Sequence, residues 1–458
     1  MPFDSLRYAL FLPAATLGYF LCPPRFRWTM LLAASYFFYA AWTTGFVGAL
    51  AACTVFTYGC GRRMTISPTE NGRRWWLAGG VVANLGMLIG FKYAGVFAGW
   101  MVPIGISFFT LQAVGYLLDV MRGERLPETH LGYFAVYMAF FPHLVAGPIG
   151  RSTHLLPQFR ETHNPEYDQL SRGVRQIMWG LFQKVVVADN LGIFVDSVYG
   201  DVRIYAGFPL IIATVFYSLQ LYCDFAGYSN VALGSARLMG FDLTPNFDRP
   251  YLAQNLAEFW RRWHVSLSRW LGDNVHKPIA VALRAHPRAG LVLAILSTFV
   301  LCGLWHGATW NFVVWGLLHG VALSALALTG RPRRRLEKAM TPWWHAVVCV
   351  AATTLFVSFT WVFFRTESLG DAMYAVQHMT AIDFGSLVGV PTLSRATFFK
   401  QLSLAGVAVA AELVGPRVDR AFEWLGPATS NYSCVVLLGL CIYAFGVFEK
   451  QTFIYAQF

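Results

Sequence analysis

Charge is scarce in this sequence: Asp, Glu, Lys and Arg make up 13% of its 458 residues, against roughly a quarter in an average soluble domain. Disulfide and metal frameworks are missing too. The eight cysteines lie mostly inside apolar segments and show no CxxC. Cys53/Cys60 and Cys434/Cys441 are spaced to share one helical face, which suits small packing residues better than metal ligands or bridges. There is no fixed-period repeat, no low-complexity segment and no linker between two cores, so residues 1–458 read as one membrane domain. Met1–Leu21 has no cluster of positive charge before its apolar run and no small-residue cleavage site before Pro23-Pro24. It reads as a first membrane helix rather than a removed signal peptide. Negative charge is the scarcer sign, with a formal net charge of +11. The excess sits in loops and points to anionic lipid headgroups and membrane topology, and not to nucleic acid.

What is abundant is apolar length. Hydrophobic residues make up 56% of the chain and aromatics 16%, and many windows approach the ~20 residues a helix needs to cross a bilayer. Lipid offers backbone groups no partner, so an all-α polytopic membrane protein follows. Spans are expected at Leu6–Cys22, Trp28–Trp42, Phe46–Cys60, Trp75–Phe97, Val102–Val120, Gly173–Val198 and Phe208–Phe225. Further spans are expected at Gly290–Leu304, Trp310–Leu328, Trp344–Phe364, Leu402–Leu413 and Cys434–Val447. Arg25/Arg27, Arg62/Arg63/Arg73/Arg74, Arg261/Arg262/Arg269 and Arg331/Arg333/Arg334/Arg335 all belong on the cytoplasmic side. These assignments agree only with both termini outside, and with Leu131–Ile149 entering and returning on one side, broken at Pro142, Gly147 and Pro148. The loops that stand out are Arg151–Arg172 and Phe241–Arg288, expected to be cytoplasmic, and Thr366–Lys400, expected to be external.

Two histidines stand out against this background. His306 lies in Leu301–Trp315, LCGLWHGATWNFVVW, with apolar runs on both flanks and Gly303 and Gly307 bracketing it. An ionisable residue at membrane depth is costly and usually faces a cavity. The glycines allow close backbone approach and a helix break. A hydrogen-bonded core histidine is the plain alternative. His264 lies in Leu256–Leu271, LAEFWRRWHVSLSRWL, the best amphipathic pattern in the chain. Leu256, Trp260, Trp263, Leu267, Trp270 and Leu271 form one face, while Glu258, Arg261, Arg262, Ser268 and Arg269 form the other. Such a helix is expected in the interface plane, tryptophans toward lipid and arginines toward phosphates. His264 falls at the edge of the apolar face, where it faces either a cytoplasmic pocket or simply the surface.

YCDFAGYSNVALGSARLMGF, PNFDRPYLAQNLAEFWRRWHVSLSRWL and GLWHGATWNFVVWGLLHG together resemble the membrane-bound O-acyltransferase family, in its bacterial branch of alginate and related glycan O-acetylation proteins. VPIGISFFTLQAVGYLLDVMRGE, AFFPHLVAGPIGR, GLFQKVVVADNL and the ending TFIYAQF extend the likeness along nearly the whole chain. The resemblance implies a ring of about 11–13 tilted and re-entrant helices around a central tunnel, in the bacterial inner membrane. It places His306 at the catalytic position and His264 at the second signature histidine. It implies a cytoplasmic thioester donor, expected to be acetyl-CoA or an acyl carrier, no bound cofactor, and an acceptor outside for exopolysaccharide or cell-wall glycan acetylation. An imidazole titrating near pH 6.5 removes a hydroxyl proton around neutrality and returns it to a leaving thiolate, by general-base catalysis or through an acyl-histidine. Trp305, Trp310 and Asn311 are candidates to line the site, with Asn311 holding the ring tautomer or polarising the acyl carbonyl. Asp224 and Arg151 fall in matched motifs and are tunnel-lining candidates, with helix-end or packing roles as the alternative.

In the tail 449–458, the resemblance makes Tyr455 an acyl-relay candidate, handing acetyl to a periplasmic or membrane-anchored O-acetyltransferase partner; an interfacial aromatic anchor is the alternative. The chain departs from the family at GDNVHKPIAV after WHVSLSRWL, where members read near RDYLYIPLGG, and at Asn230, where they often carry Asp. Both departures bear on the donor. Lys92 and Lys184 are expected to snorkel near span ends, and His143 to make a polar contact beside Pro142. His319 lacks an HxxxH or HExxH partner, so no metal site is expected. The competing function is a transporter that exports a polysaccharide or acylated unit without chemistry, although the paired half-repeats of many transporters are missing. An interaction scaffold in a secretion complex is a third reading.

Overall fold

The computed structural model of the chain describes residues 1–42, 44–94, 102–145, 147–330, 340–381, 390, 394–423, 427–448 and 454. Among the described residues every regular element is helical, and eight helices are long and apolar enough to cross a bilayer. The protein is therefore all-α and polytopic. Its contacts fall into two compact units, Met1–Leu181 with Tyr228–Pro245, and Phe182–Gly227 with Asn246–Phe458.

The first unit begins with α1 (Leu6–Leu21), started by Ser5, whose Oγ accepts the Tyr8 N–H. Then come α2 (Arg27–Ala40), α3 (Val47–Ile66), α4 (Glu70–Ile89) and α5 (Ile106–Arg122). α1, α2 and α5, expected as spans, hold 16, 14 and 17 residues, fewer than the ~20 of an untilted crossing. The segment Leu131–Ile149 is interrupted, though at Phe140, ahead of the expected Pro142, Gly147 and Pro148. α6 (Leu131–Ala139) stops at Phe140, which takes a non-helical ψ of 109°, and a single turn, α7 (Phe141–Leu144), resumes beyond it. His143 Nε2 lies 2.9 Å from Gln112 Oε1, the polar contact expected of it. α8 (Ser152–Gln158) follows.

Two long helices contribute to both units: α9 (Tyr167–Tyr199), which widens into a π-helical turn at Phe182–Ala188, and α10 (Phe208–Leu238). Their spanning windows are 72% and 78% buried, against 22% for Glu70–Tyr93, so they are interior helices, whereas α4 presents Trp75 and Val82 outward. α10 runs well past the expected end at Phe225. The extension is rich in small residues, and a Cβ on Gly234 would lie only 2.7 Å from the Gly173 carbonyl oxygen. Small residues let interior helices approach this closely.

The second unit continues with α11 (Leu256–Arg262), α12 (Val265–Leu271), α13 (Lys277–Ala282), α14 (Pro287–His306), α15 (Trp310–Leu328) and α16 (Pro342–Arg365). It ends with α17 (Leu369–His378), α18 (Arg395–Glu423) and α19 (Pro427–Phe445). α14 and α15 form an antiparallel hairpin with backbones in near contact. A Cβ on Gly303 would meet the Phe312 carbonyl oxygen at 2.1 Å, and one on Gly316 would meet that of Phe299 at 2.3 Å. His306 is the last residue of α14.

Candidate active site

The amphipathic stretch is not one helix lying on lipid. α11 ends at Arg262, Trp263 is extended, and His264 takes left-handed φ 42° and ψ 54° before α12 begins. That conformation costs a non-glycine residue roughly 1–2 kcal/mol, so neighbours must hold it. They do: the Val265 N–H donates to the Asn246 carbonyl (2.9 Å) and Ser266 Oγ to Asn246 Oδ1 (2.7 Å). The Asp248 N–H donates to the Arg262 carbonyl at 3.0 Å. The kink turns the tryptophans inward. Trp263 is fully buried, stacked on Phe259 (5.5 Å between centroids) and packed on Trp361 (5.1 Å). Trp260 is also buried. These rings are core rather than lipid anchors. An apolar face at helical spacing looks the same whether it meets protein or lipid. Arg261 and Arg269 stay exposed, as expected.

His264 is accordingly interior, 1% exposed, and not a surface histidine. Its ring meets Phe225 edge-on at 4.7 Å and Trp305 at 6.0 Å. Burial pushes its pKa down to about 3, so the ring is neutral around pH 7.

His306 sits where α14 stops, because Gly307 leaves the helix in an extended conformation (φ −171°). A Cβ at Gly307 would come 2.2 Å from the Phe312 ring. The imidazole, 4% exposed, lies in a nest of rings: Trp305 (4.7 Å), Phe364 (5.0 Å), Trp315 (5.4 Å) and Phe312 (6.3 Å). Three of those walls are buried and Trp305 is half-exposed. Both signature imidazoles therefore meet the Trp305 indole edge-on. Asn311 is buried beside the turn. Its Nδ2 donates to the Thr366 carbonyl (2.7 Å) and to Thr366 Oγ1 (3.2 Å). Oδ1 has no partner among the described residues. With both amide hydrogens occupied, Asn311 offers an acceptor. It can hold an N–H or O–H, but polarising an acyl carbonyl would need a donor it no longer has.

The other sequence candidates separate. Trp310 opens α15 with 74% of its surface exposed and does not join the nest. Arg151 is exposed at the N-cap position of α8, in the first unit, and its side chain makes no capping hydrogen bond there. Asp224 is buried within α10, its Oδ1 2.7 Å from Lys184 Nζ. Lys184 is itself 3% exposed and does not snorkel, and Lys92 is buried as well. Tyr455 lies outside the described residues, as do Arg331/Arg333/Arg334/Arg335. His319 is structural. Thr360 Oγ1 donates to the Val357 carbonyl (2.8 Å) and so accepts from His319 Nε2 (3.0 Å). His319 Nδ1 accepts the Trp260 indole N–H (3.3 Å). That pattern fixes a neutral Nε2–H tautomer. Sequence reasoning missed Trp315, Phe364 and Asn246. Trp361 and Phe364 one turn apart on α16 were a legible face, whereas nothing marked Asn246.

Beside the nest, α11 and α12 face α14 and α15 across a cavity of about 970 Å³. Its lining includes Arg261, Arg269 and His276, with Trp260, Phe299 and Cys302 among the apolar walls. Cys302 is one helical turn before His306. Gly272 and His276 of the GDNVHKPIAV segment also line it.

The family model of the membrane-bound O-acyltransferases matches residues 122–369, which takes in both histidines. The chain belongs to that family. A probable alginate O-acetylase AlgI of Azotobacter vinelandii is 37% identical over 394 residues, 80% of this chain and 75% of that protein. A peptidoglycan O-acetyltransferase of Helicobacter pylori is 32% identical, covering 82% of this chain and 79% of its own. A teichoic acid D-alanyltransferase of Streptococcus thermophilus is 32% identical across 48% of this chain and 55% of its own. The protein is thus a membrane-bound O-acyltransferase, and His264, Trp305 and His306 lie inside its family region.

Proposed function

We propose that this acyltransferase moves an acetyl group from a cytoplasmic thioester, acetyl-CoA or an acyl carrier, to an acceptor beyond the inner membrane for acetylation of an exopolysaccharide or cell-wall glycan. The observation that carries the proposal is the convergence of two buried imidazoles on one indole, at the end of the cavity-lining hairpin α14–α15. His306 takes the acceptor hydroxyl proton, the freed oxygen attacks the thioester carbonyl, a C–O bond forms and the C–S bond breaks. The imidazolium then returns the proton to the departing thiolate. His264, neutral around pH 7, orients the acceptor or relays its proton. Asn311 Oδ1 holds a hydroxyl or imidazole hydrogen. Arg261 and Arg269 at the cavity suit the anionic groups of a thioester carrier, while its apolar walls suit the acyl end.

The first acceptor is the Tyr455 phenol, which passes acetyl to a periplasmic or membrane-anchored transferase partner. The test uses sealed vesicles whose orientation is set by protease access to the termini, expected on the periplasmic face, with labelled acetyl-CoA on one side and an acceptor glycan plus the partner on the other. Label should reach the acceptor only when donor is on the cytoplasmic side, and Tyr455→Phe should block delivery. Acetylation on the donor's own side, or donor consumption from neither side, would contradict the proposal.

A further inference from the structure

One cluster of charged side chains has no part in that chemistry. Lys184 and Asp189 on α9 and Asp224 on α10 are all buried in the second unit. Lys184 Nζ lies 2.8 Å from Asp189 Oδ1 and 2.7 Å from Asp224 Oδ1. Among the described residues one lysine faces both carboxyls, and Asp224 takes a second donor as well. It comes from the far end of the sequence: the Ile454 backbone N–H donates to Asp224 Oδ2 at 2.9 Å.

The chain end is held a second time nearby. The Val447 N–H donates to the carbonyl of Val185, inside the π-helical turn of α9, at 2.9 Å. Asn190 Nδ2 donates to the Phe445 carbonyl at 2.9 Å and to that of Val186 at 2.8 Å. Gln401 Nε2 in turn donates to the Asn190 carbonyl at 3.0 Å. A π turn departs from the regular i→i+4 ladder and often marks a functional position; here it receives the Val447 N–H. Asp224 is followed by Phe225, the ring that packs on His264.

We infer that Lys184, Asp189 and Asp224 are a latch for the C-terminal tail. The ion cluster fixes Asp224, and Asp224 fixes the register of the tail through the Ile454 N–H. The latch stands on these contacts alone; its use in catalysis rests on the reading of Tyr455 given above, since Ile454, which Asp224 holds, precedes Tyr455 in the sequence. Asp224 is then a positioning residue, not a tunnel lining.

The reporter is Gln457→Cys in the full-length protein in detergent, with maleimide labelling of the C-terminal peptide followed by mass spectrometry. Ile454→Pro removes the donated N–H, fixing φ there as well, and should raise the labelling rate about tenfold, the scale of one hydrogen bond to a charged acceptor. Ile454→Ala keeps the N–H and should label like the reporter parent. Asp224→Asn and Lys184→Met should also raise the rate, and if either fails to fold, the proline variant still decides. Labelling of Ile454→Pro at the parent rate would overturn the latch. Tyr455→Phe should label at the parent rate while blocking acetyl delivery. Full delivery by Tyr455→Phe would remove the relay and leave the latch standing, whereas unchanged labelling of Ile454→Pro would do the reverse.

Discussion

Three buried histidines of the second unit do three different things, and their neighbours say which. His319 is bonded on both ring nitrogens, to Trp260 and Thr360, so its imidazole is a spacer in the core. His319→Phe leaves a buried indole N–H without an acceptor and should cost about 1–3 kcal/mol of stability, read as a lower melting temperature in detergent. An unchanged melting point would refute the assignment. His264 is surrounded by rings, and its pKa is pushed down from 6.5 to about 3 by burial. The unfolded chain takes up a proton below pH ~6.5 that the folded chain refuses. The stabilisation is therefore complete above pH 6.5 and is lost as pH falls from there toward 3, by up to ~1.4 kcal/mol per pH unit. The melting temperature of the parent should fall more steeply between pH 7 and pH 5 than that of His264→Gln; parallel curves would mean that His264 is protonated in the fold. His306 sits among four rings at a helix end, and the proposed reaction makes it the proton carrier.

At the scale of elements, the hairpin α14–α15 and the kink between α11 and α12 build the site. Gly303→Ala would drive a Cβ into the Phe312 carbonyl, 2.1 Å away, and Phe312 is one wall of the His306 nest. Overpacking of this kind costs about 1–3 kcal/mol. Acyl transfer should fall along with the melting temperature, and a variant matching the parent in both would show that the hairpin tolerates separation. The hairpin was legible in the sequence because Gly303 and Gly307 bracket a histidine between two apolar runs. The kink was not. Its cause, Asn246, lies 18 residues before His264, and the uninterrupted apolar periodicity of Leu256–Leu271 gives no hint that Trp263 and His264 leave the helix. Lys184 was misread for a related reason. A lone lysine in an apolar run looks like one that snorkels, until the fold brings two aspartates to it.

For the whole molecule, apolar length and scarce charge specify an all-α polytopic chain, and the matched residues 122–369 assign the family. Which spans are interior was not legible, since α4 and α10 have nearly equal mean hydropathy, 1.2 and 1.4, yet differ more than threefold in burial. Hydropathy reports what a segment avoids, and water is absent from both lipid and protein core. The central claim is that the His306 imidazole carries the acyl transfer. Its most direct test is the rate of acetyl-CoA-dependent acetylation by purified His306→Ala and parent in the same vesicles, with melting temperatures measured in parallel. The account predicts a loss of at least about a hundredfold, the lower end for a general base, in a variant that still folds. A folded His306→Ala that transfers acetyl at the parent rate would contradict it.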